Sequence, residues 1–491
     1  MLDISTGAFS VAEGTIDYAD ILFSNLAPKE ILVQRGSERS FKETFRTNAY
    51  ISSIDDWAFT YESAYKRLCN QFSINSLKGF GVENDQLAIT AAGAILSYLE
   101  LTHHNALTNI CSISRIERDT FVWMDKFTVR NLEIFSSLAP AEGVSLLDVI
   151  DKCTSPMGSR LLKKWLAMPL MDIDELNIRH DVVDFFVQHN EERDEIRELI
   201  GSIGDMERIV SRAAAGRISP RELVQLRRGL DKVEPIKSIA TKGNSIALNQ
   251  VAARLNDPLA LRQLLENTLS QDPAVAVGKG DVIAQGVDAQ LDDLRNIVLH
   301  GKDILSQIQK EESERTGIPS LKISYNNVFG YYIEVRNTHK DKVPSNWIRK
   351  QTLVSAERYI TEELKNYEEQ IVGAQDKIYV LESSILASLV QKVQEQVGVI
   401  LDNAKTIAQL DVLSNFAEVA VLNNYSRPKL NKEGKLAIVQ GRHPVIEQMM
   451  NPGEEYVAND LTLNSSDQQI IILTGPNMSG KSALLRQTAL I

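Results

Sequence analysis

Eight residues, Gly475-Pro476-Asn477-Met478-Ser479-Gly480-Lys481-Ser482, carry the most specific chemistry in the chain. A glycine, four residues and then Gly-Lys-Ser is the spacing of a phosphate-binding loop. In such a loop, backbone N–H groups and the start of the following helix form a concave anion site. Lys481 adds a point charge for the β- and γ-phosphates, and the Ser482 hydroxyl is placed to ligate Mg²⁺. The expected ligand is a nucleoside triphosphate.

A strand before the loop and a helix after it must hold it in place. Gln469-Ile470-Ile471-Ile472-Leu473 is a short apolar run of the kind buried on both faces of a parallel sheet. Ala483-Leu484-Leu485-Arg486 reads as a helix. A buried strand needs neighbours for its backbone groups, yet nothing after Ile491 can supply them, nor a Walker B carboxylate. The expectation is an incomplete nucleotide domain that does not hydrolyse its ligand alone.

Composition places these elements in a large protein. A chain of 491 residues, 43% apolar and 24% charged, is long enough for several domains with sizeable cores. No apolar run is long enough to cross a membrane, and the start lacks the features of a signal peptide. Cys69, Cys111 and Cys153 form neither a metal spacing nor a disulfide framework, which suits buried thiols in a reducing cytoplasm. A net charge of −12 argues against nucleic acid coating the whole surface, but leaves room for a local basic patch.

The first hundred or so residues read as a small α/β domain. Leu2 and Ile4, then Phe9 and Val11, flank Ser5-Thr6-Gly7 as a hairpin. Glu30–Val33 reads as a strand, and Leu87–Leu101 as a buried helix. Long helices follow. Ser155-Pro156 supplies an N-cap and a first-turn proline, and Ser219-Pro220-Arg221-Glu222 a capping box. A helix from about Asp288 to Arg315 ends at Thr316-Gly317-Ile318-Pro319. A second, of roughly 37 residues and about 55 Å, runs from Thr361 through Val397 as a lever or arm.

Between these two helices, residues 321–325 and 330–335 read as paired strands. The charge balance inverts there: Lys322, Arg336, Lys340, Lys342, Arg349 and Lys350 face only Glu334 and Asp341. A basic sheet with aromatic and Asn residues, at the tip of long helices, suits a grip on a phosphate backbone.

The Gly-Pro-Asn-Met wording of the loop resembles the MutS family of DNA mismatch repair ATPases. Other segments resemble that family in the same order. They are Leu2-Asp3-Ile4-Ser5-Thr6-Gly7, Thr154-Ser155-Pro156-Met157-Gly158-Ser159-Arg160-Leu161-Leu162, Asn327-Val328-Phe329-Gly330-Tyr331-Tyr332-Ile333-Glu334-Val335, Arg349-Lys350-Gln351-Thr352-Leu353, Ala356-Glu357-Arg358-Tyr359-Ile360-Thr361 and Gly441-Arg442-His443-Pro444-Val445. The resemblance implies a multidomain α+β protein. Residues 1–112 would be a ribonuclease H-like connector, and 113–287 with 383–422 a long-helix core with levers. Residues 288–382 would form a helical-arm plus β clamp, and 423–491 the start of an ABC-type P-loop ATPase domain.

By the same resemblance, Gly475, Pro476, Asn477, Met478, Ser479, Gly480, Lys481 and Ser482 would hold ATP, and Ser482 also Mg²⁺. Tyr456 stands where an aromatic stacks on adenine, and His443 is given no catalytic role. Lys322, Asn326, Asn327, Arg349 and Lys350 are the candidates for contact with double-stranded DNA. A homodimer and downstream mismatch-repair proteins are the implied partners, the cytoplasm the implied location. The family's mismatch-reading domain has no counterpart in this sequence. Phe41-Lys42-Glu43 fits its Phe-x-Glu tripeptide but lies in connector-like surroundings. The sequence therefore reads as a truncated mismatch sensor. A DNA-junction clamp without that domain and a non-catalytic scaffold are the alternatives.

Overall fold

A computed structural model describes residues 1–491 except 46, 103–106, 140–142, 327–329, 452 and 477–478, and leaves aside the side chains of 301–304, 370 and 372. Eleven strands occur among the described residues. They are β1 (Leu2–Asp3), β2 (Ala8–Val11), β3 (Glu30–Gln34), β4 (Tyr50–Ile54), β5 (Ser114–Arg115), β6 (Lys322–Asn326), β7 (Gly330–Arg336), β8 (Ile348–Thr352), β9 (Ala356–Ile360), β10 (Leu436–Gly441) and β11 (Asn459–Leu463). The helices that position the sites are α1 (Tyr61–Phe72), α2 (Gln86–Leu101), α3 (Pro156–Ala167), α4 (Ala289–Thr316), α5 (Glu362–Glu395), α6 (Val397–Asn423) and α7 (Lys481–Leu490). The chain divides into two compact units. Met1–Ile218, Gln225–Leu259 and Val393–Ile491 form the first, Ser219–Val224 and Ala260–Lys392 the second.

In the first unit the expected hairpin forms, with Leu2 opposite Phe9 and Asp3 opposite Ala8. Its turn needs Gly7: φ is +75°, and a Cβ there would lie 2.1 Å from the Asn109 carbonyl oxygen. β2 continues in parallel to β5, and β3 pairs in parallel with β4. The core beneath them gathers Leu68, Leu77, Val82, Ile89 and Leu96, all essentially buried. Burying each such side chain contributes about 1.5–3 kcal/mol. α1 and α2 approach closely at Gly93, where an added Cβ would fall 2.3 Å from Ala64 Cβ.

Further along the first unit, Ser155 caps α3 by accepting from the Gly158 N–H at 3.0 Å, with Pro156 in the first turn. α6 is apolar around most of its girth and buried along most of its length, as a helix inside a core must be. Three of its buried polar side chains tie down loops. Asp411, fully buried, accepts from the Thr154 and Ser155 backbones at 2.9 and 2.8 Å and from both hydroxyls. Asn415 accepts from Lys152 N–H, and Asn403 exchanges two bonds with the Asn256 backbone.

In the second unit Asp288 caps α4, and Gly317, at φ +63°, ends it as expected. The capping box forms too: the Ser219 N–H donates to Glu222 at 2.9 Å, and the Glu222 N–H to Ser219 Oγ at 3.3 Å. The strands form one antiparallel sheet in the order β6-β7-β9-β8. Ile318, Leu321, Ile333, Val335, Trp347, Tyr359 and Leu364 close its core.

Two expectations are corrected. The long helix is 34 residues, about 51 Å at 1.5 Å per residue, and ends at Glu395. Gln396, at φ −110° and ψ 10°, interrupts it and caps the 27-residue α6. Apolar spacing continues across that break, so periodicity alone hides it. The run 469–473 is not a strand. Ile470 and Ile472 are 81% and 84% exposed, and no described residue pairs with the segment. Its apolar composition marks what it could bury, but a strand exists only through a partner's hydrogen bonds.

Candidate nucleotide site and nucleic-acid interface

The phosphate-loop motif lies in the first unit. Gly475, at φ +154°, leaves room for Ser479, whose Oγ would sit 2.9 Å from a Cβ there. Ser479 Oγ donates to the Pro476 carbonyl at 2.8 Å. Gly480, at φ +86°, turns the chain into α7, so Lys481 and Ser482 open the helix. The Lys481 ammonium donates to the Gly475 carbonyl and, at 2.7 Å, to that of Pro476, folding the loop over its own lysine. Ser482 is exposed at the helix start. Asn477 and Met478 lie outside the described residues.

α7 is held from behind through Tyr456 and through two residues that motif reading passed over, Glu133 and Gln487. The Tyr456 hydroxyl, half-buried, donates to Gln487 Oε1 at 2.8 Å, and burial pushes its phenol pKa up. Gln487 is itself buried. Arg486 pairs with Glu133 at 2.5 Å, while the other Glu133 oxygen accepts from the Leu138 N–H at 2.7 Å. His443 is buried, its Nδ1 accepting from the Val445 and Ile446 N–H groups at 3.2 Å each. Burial, then the charge of Arg486, pushes its pKa down. This is the geometry of a neutral structural histidine. Phe41 sits in an aromatic cluster with Phe23 and Phe45, at 5.8 and 4.7 Å between ring centres, as a packing residue.

The basic sheet lies in the second unit, and its register sorts the cations by face. Side chains alternate along each strand. Ile323, Ile333, Tyr359 and Arg349 fall in one row, on the core side, and Lys322, Glu334, Arg358 and Gln351 in the next row, on the other face. Lys322 is exposed on edge strand β6. Arg349 and Lys350 are exposed on the opposite edge strand, β8, roughly 14 Å away at the usual strand spacing. The register slips between Arg349 and Gln351, which makes Lys350 the extra residue of a β-bulge. Asn326 sits at the end of β6 opposite Gly330, and Asn327 lies outside the described residues.

Among the described residues Lys322 and Lys350 have no ion-pair partner, whereas Arg349 has one. Glu357, on β9 and only 3% exposed, is held by Lys340 at 3.1 Å and Arg349 at 3.3 Å. It also accepts from the Tyr359 hydroxyl. That hydrogen bond, then the two cations, keeps the Glu357 carboxyl below its ordinary 4.5, and Tyr359 is pushed up to about 12 by burial and by Glu357. On the other face Arg358 stacks over Tyr332 at 4.4 Å and donates to Glu334 at 3.2 Å. The segments of β8 and β9 carry the family resemblance, but their strand form escapes sequence reading because a buried acid, Glu357, breaks the apolar alternation that marks a strand.

A buried helical core, a sheet with basic edges and a loop with phosphate-loop spacing lie in one multidomain chain. Comparison with known families matches MutS domain II over residues 1–111 and MutS domain III over residues 127–417. The chain is 54% identical over 490 residues to the DNA mismatch repair protein MutS of Phocaeicola vulgatus, covering all of this chain and 56% of that protein. It is 52% identical to the DNA mismatch repair protein MutS of Bacteroides fragilis and 50% to that of Flavobacterium psychrophilum, over 57% and 56% of their lengths. The chain belongs to the MutS family and spans a little over half the length of these relatives. No helix among its described residues is long and apolar enough to cross a membrane.

Proposed function

We propose that this chain contributes to DNA mismatch repair as part of a protein that clamps duplex DNA and couples mispair recognition to ATP binding and hydrolysis. The observation that carries this reading is a basic two-edged sheet in a chain that also holds the phosphate loop. Alignment of the whole chain with a little over half the length of proteins named DNA mismatch repair protein MutS supports it. Lys322 and Lys350, exposed and uncompensated, meet backbone phosphates without reading sequence. Asn326, Asn327 and Arg349 complete the candidate contact set.

The loop 475–482 binds the triphosphate of ATP, with Lys481 leaving its carbonyl partners for the β- and γ-phosphates. Among the described residues no cluster of three or more His, Cys, Asp or Glu offers a metal cage. Mg²⁺ keeps several waters and takes phosphate oxygens, so it needs few protein ligands. Ser482 Oγ, exposed beside Lys481, would hold it, and the ion would neutralise charge on the phosphates. Tyr456 presents its ring to adenine while its hydroxyl stays on Gln487. Residues 1–112 serve as the ribonuclease H-like connector, consistent with the parallel β3–β4 pair and its flanking helices. The site assembles in a cytoplasmic homodimer that passes its state to downstream repair proteins.

Titration of the chain with a fluorescent duplex over a salt series tests the DNA reading. Binding whose logarithm falls linearly with log salt, with little dependence on sequence, is the expected result. Binding that ignores salt would overturn it.

A further inference from the structure

The clamp sheet contains an anion of its own at a place where cations would otherwise await DNA. Glu357 is 3% exposed, and its carboxylate sits between Lys340 and Arg349 at 3.1 and 3.3 Å. Two cations around one anion is also the arrangement that grips a phosphate. The side chains of Lys340 and Arg349 are themselves 54% and 56% exposed, so their outer sides face solvent. Lys350, next in sequence, is the bulge residue and carries no such partner among the described residues.

We propose that Glu357 is an internal competitor for DNA phosphates that tempers the grip of the β8 edge. This inference rests on the clamp reading above and assigns Glu357 a role as a positioning and affinity-limiting residue. A phosphate approaching Arg349 or Lys340 meets cations whose charge Glu357 already offsets, and it is repelled by the carboxylate behind them. Contact through these two residues therefore releases few counterions. Lys350 and Lys322 supply most of the salt-dependent attraction. A clamp built this way holds a duplex without gripping it irreversibly. The carboxylate also fixes the direction of the Arg349 and Lys340 stems through the Tyr359 and β9 framework.

The test is duplex binding by the whole chain over a salt series, for the unaltered protein and for E357Q, R349Q and K350Q. Glu357→Gln keeps a hydrogen-bond acceptor for both cations but removes the charge. It is expected to bind about threefold tighter or more at low salt, from one added unit charge acting across roughly 7 Å of water. Its slope of log K against log salt should steepen by about 0.9. K350Q is expected to flatten the slope by about 0.9, and R349Q by less than half of that. A folded E357Q, with an unchanged circular-dichroism melt, that binds with the unaltered slope or more weakly would overturn the proposal. R349Q as damaging as K350Q would overturn it too, and that pair decides the matter if E357Q does not fold. No salt-dependent binding by the unaltered chain would overturn the clamp reading itself, and this inference with it.

Discussion

The segment 469–491 and the sheet 322–360 solve opposite halves of the same problem. The first carries the most specific motif in the chain on a poorly supported scaffold. The apolar run before the loop is largely exposed, and α7 is anchored by Tyr456, Arg486 and the packing of Gln487. The second carries no motif that names a chemistry, yet its four strands are paired over a closed core, with one bulge at Lys350. The specificity of a motif and the physical support beneath it are therefore separate properties. A loop's residue types record what it binds, whereas strand partners and burial decide whether the scaffold stands in this chain.

Paired substitutions sharpen that contrast most. Ile333→Ala, in the sheet core, is expected to cost about 2–4 kcal/mol, seen as a lower urea midpoint for the second unit. Ile472→Ala, at an 84% exposed position, should change stability by no more than about 0.5 kcal/mol. Equal costs would break the comparison. Lys481→Ala should weaken binding of a fluorescent ATP analogue by about ten- to a hundredfold, on the scale of lost charge-assisted hydrogen bonds. It should leave the melting temperature unchanged, since among the described residues the Lys481 ammonium bonds only to carbonyls of its own loop.

The two units should also fail at different pH. His443 and His180, both in the first unit, have pKa values pushed down by burial. A histidine depressed in the folded state binds fewer protons than it does unfolded. Its stabilisation is thus present above the ordinary 6.5 and lost as pH falls below it. Glu357, in the second unit, is depressed as a carboxylate. Its contribution is complete above 4.5 and lost only below that value. Urea midpoints followed separately for the two units should fall first in the first unit, and His443→Gln should flatten its decline between pH 7 and 5. A small effect is expected at Arg486, a partly exposed ion pair with Glu133. Arg486→Gln should cost no more than about 1 kcal/mol in thermal melts.

Much of the architecture could be read from residue spacing where local rules dominate. The Ser155-Pro156 start, the Ser219–Glu222 capping box, the Gly317 stop and the Leu2–Phe9 hairpin all form. Each depends on hydrogen bonds within a few residues, which the sequence states directly. What escaped depended on distant partners. Strands β8 and β9 pair across the sheet around a buried Glu357, and Gln396 breaks a helix through which the apolar period runs on. The non-strand at 469–473 has the right composition but no neighbour. At the nucleotide site the loop was evident from its eight residues, whereas the bonds of Glu133 to Arg486 and of Tyr456 to Gln487 reach α7 only through the tertiary fold.

Backbone hydrogen exchange of the 491-residue chain tests the central contrast most directly. Amides of β7 and β9, paired on both sides, are expected to exchange slowly, with protection close to that of global unfolding of their unit. Amides of Ile470, Ile471, Ile472 and Leu473 are expected to exchange at nearly the rate of an unstructured peptide. Strong protection at Ile470–Leu473 would contradict the account, for it would mean that the strand before the phosphate loop finds partners within this chain.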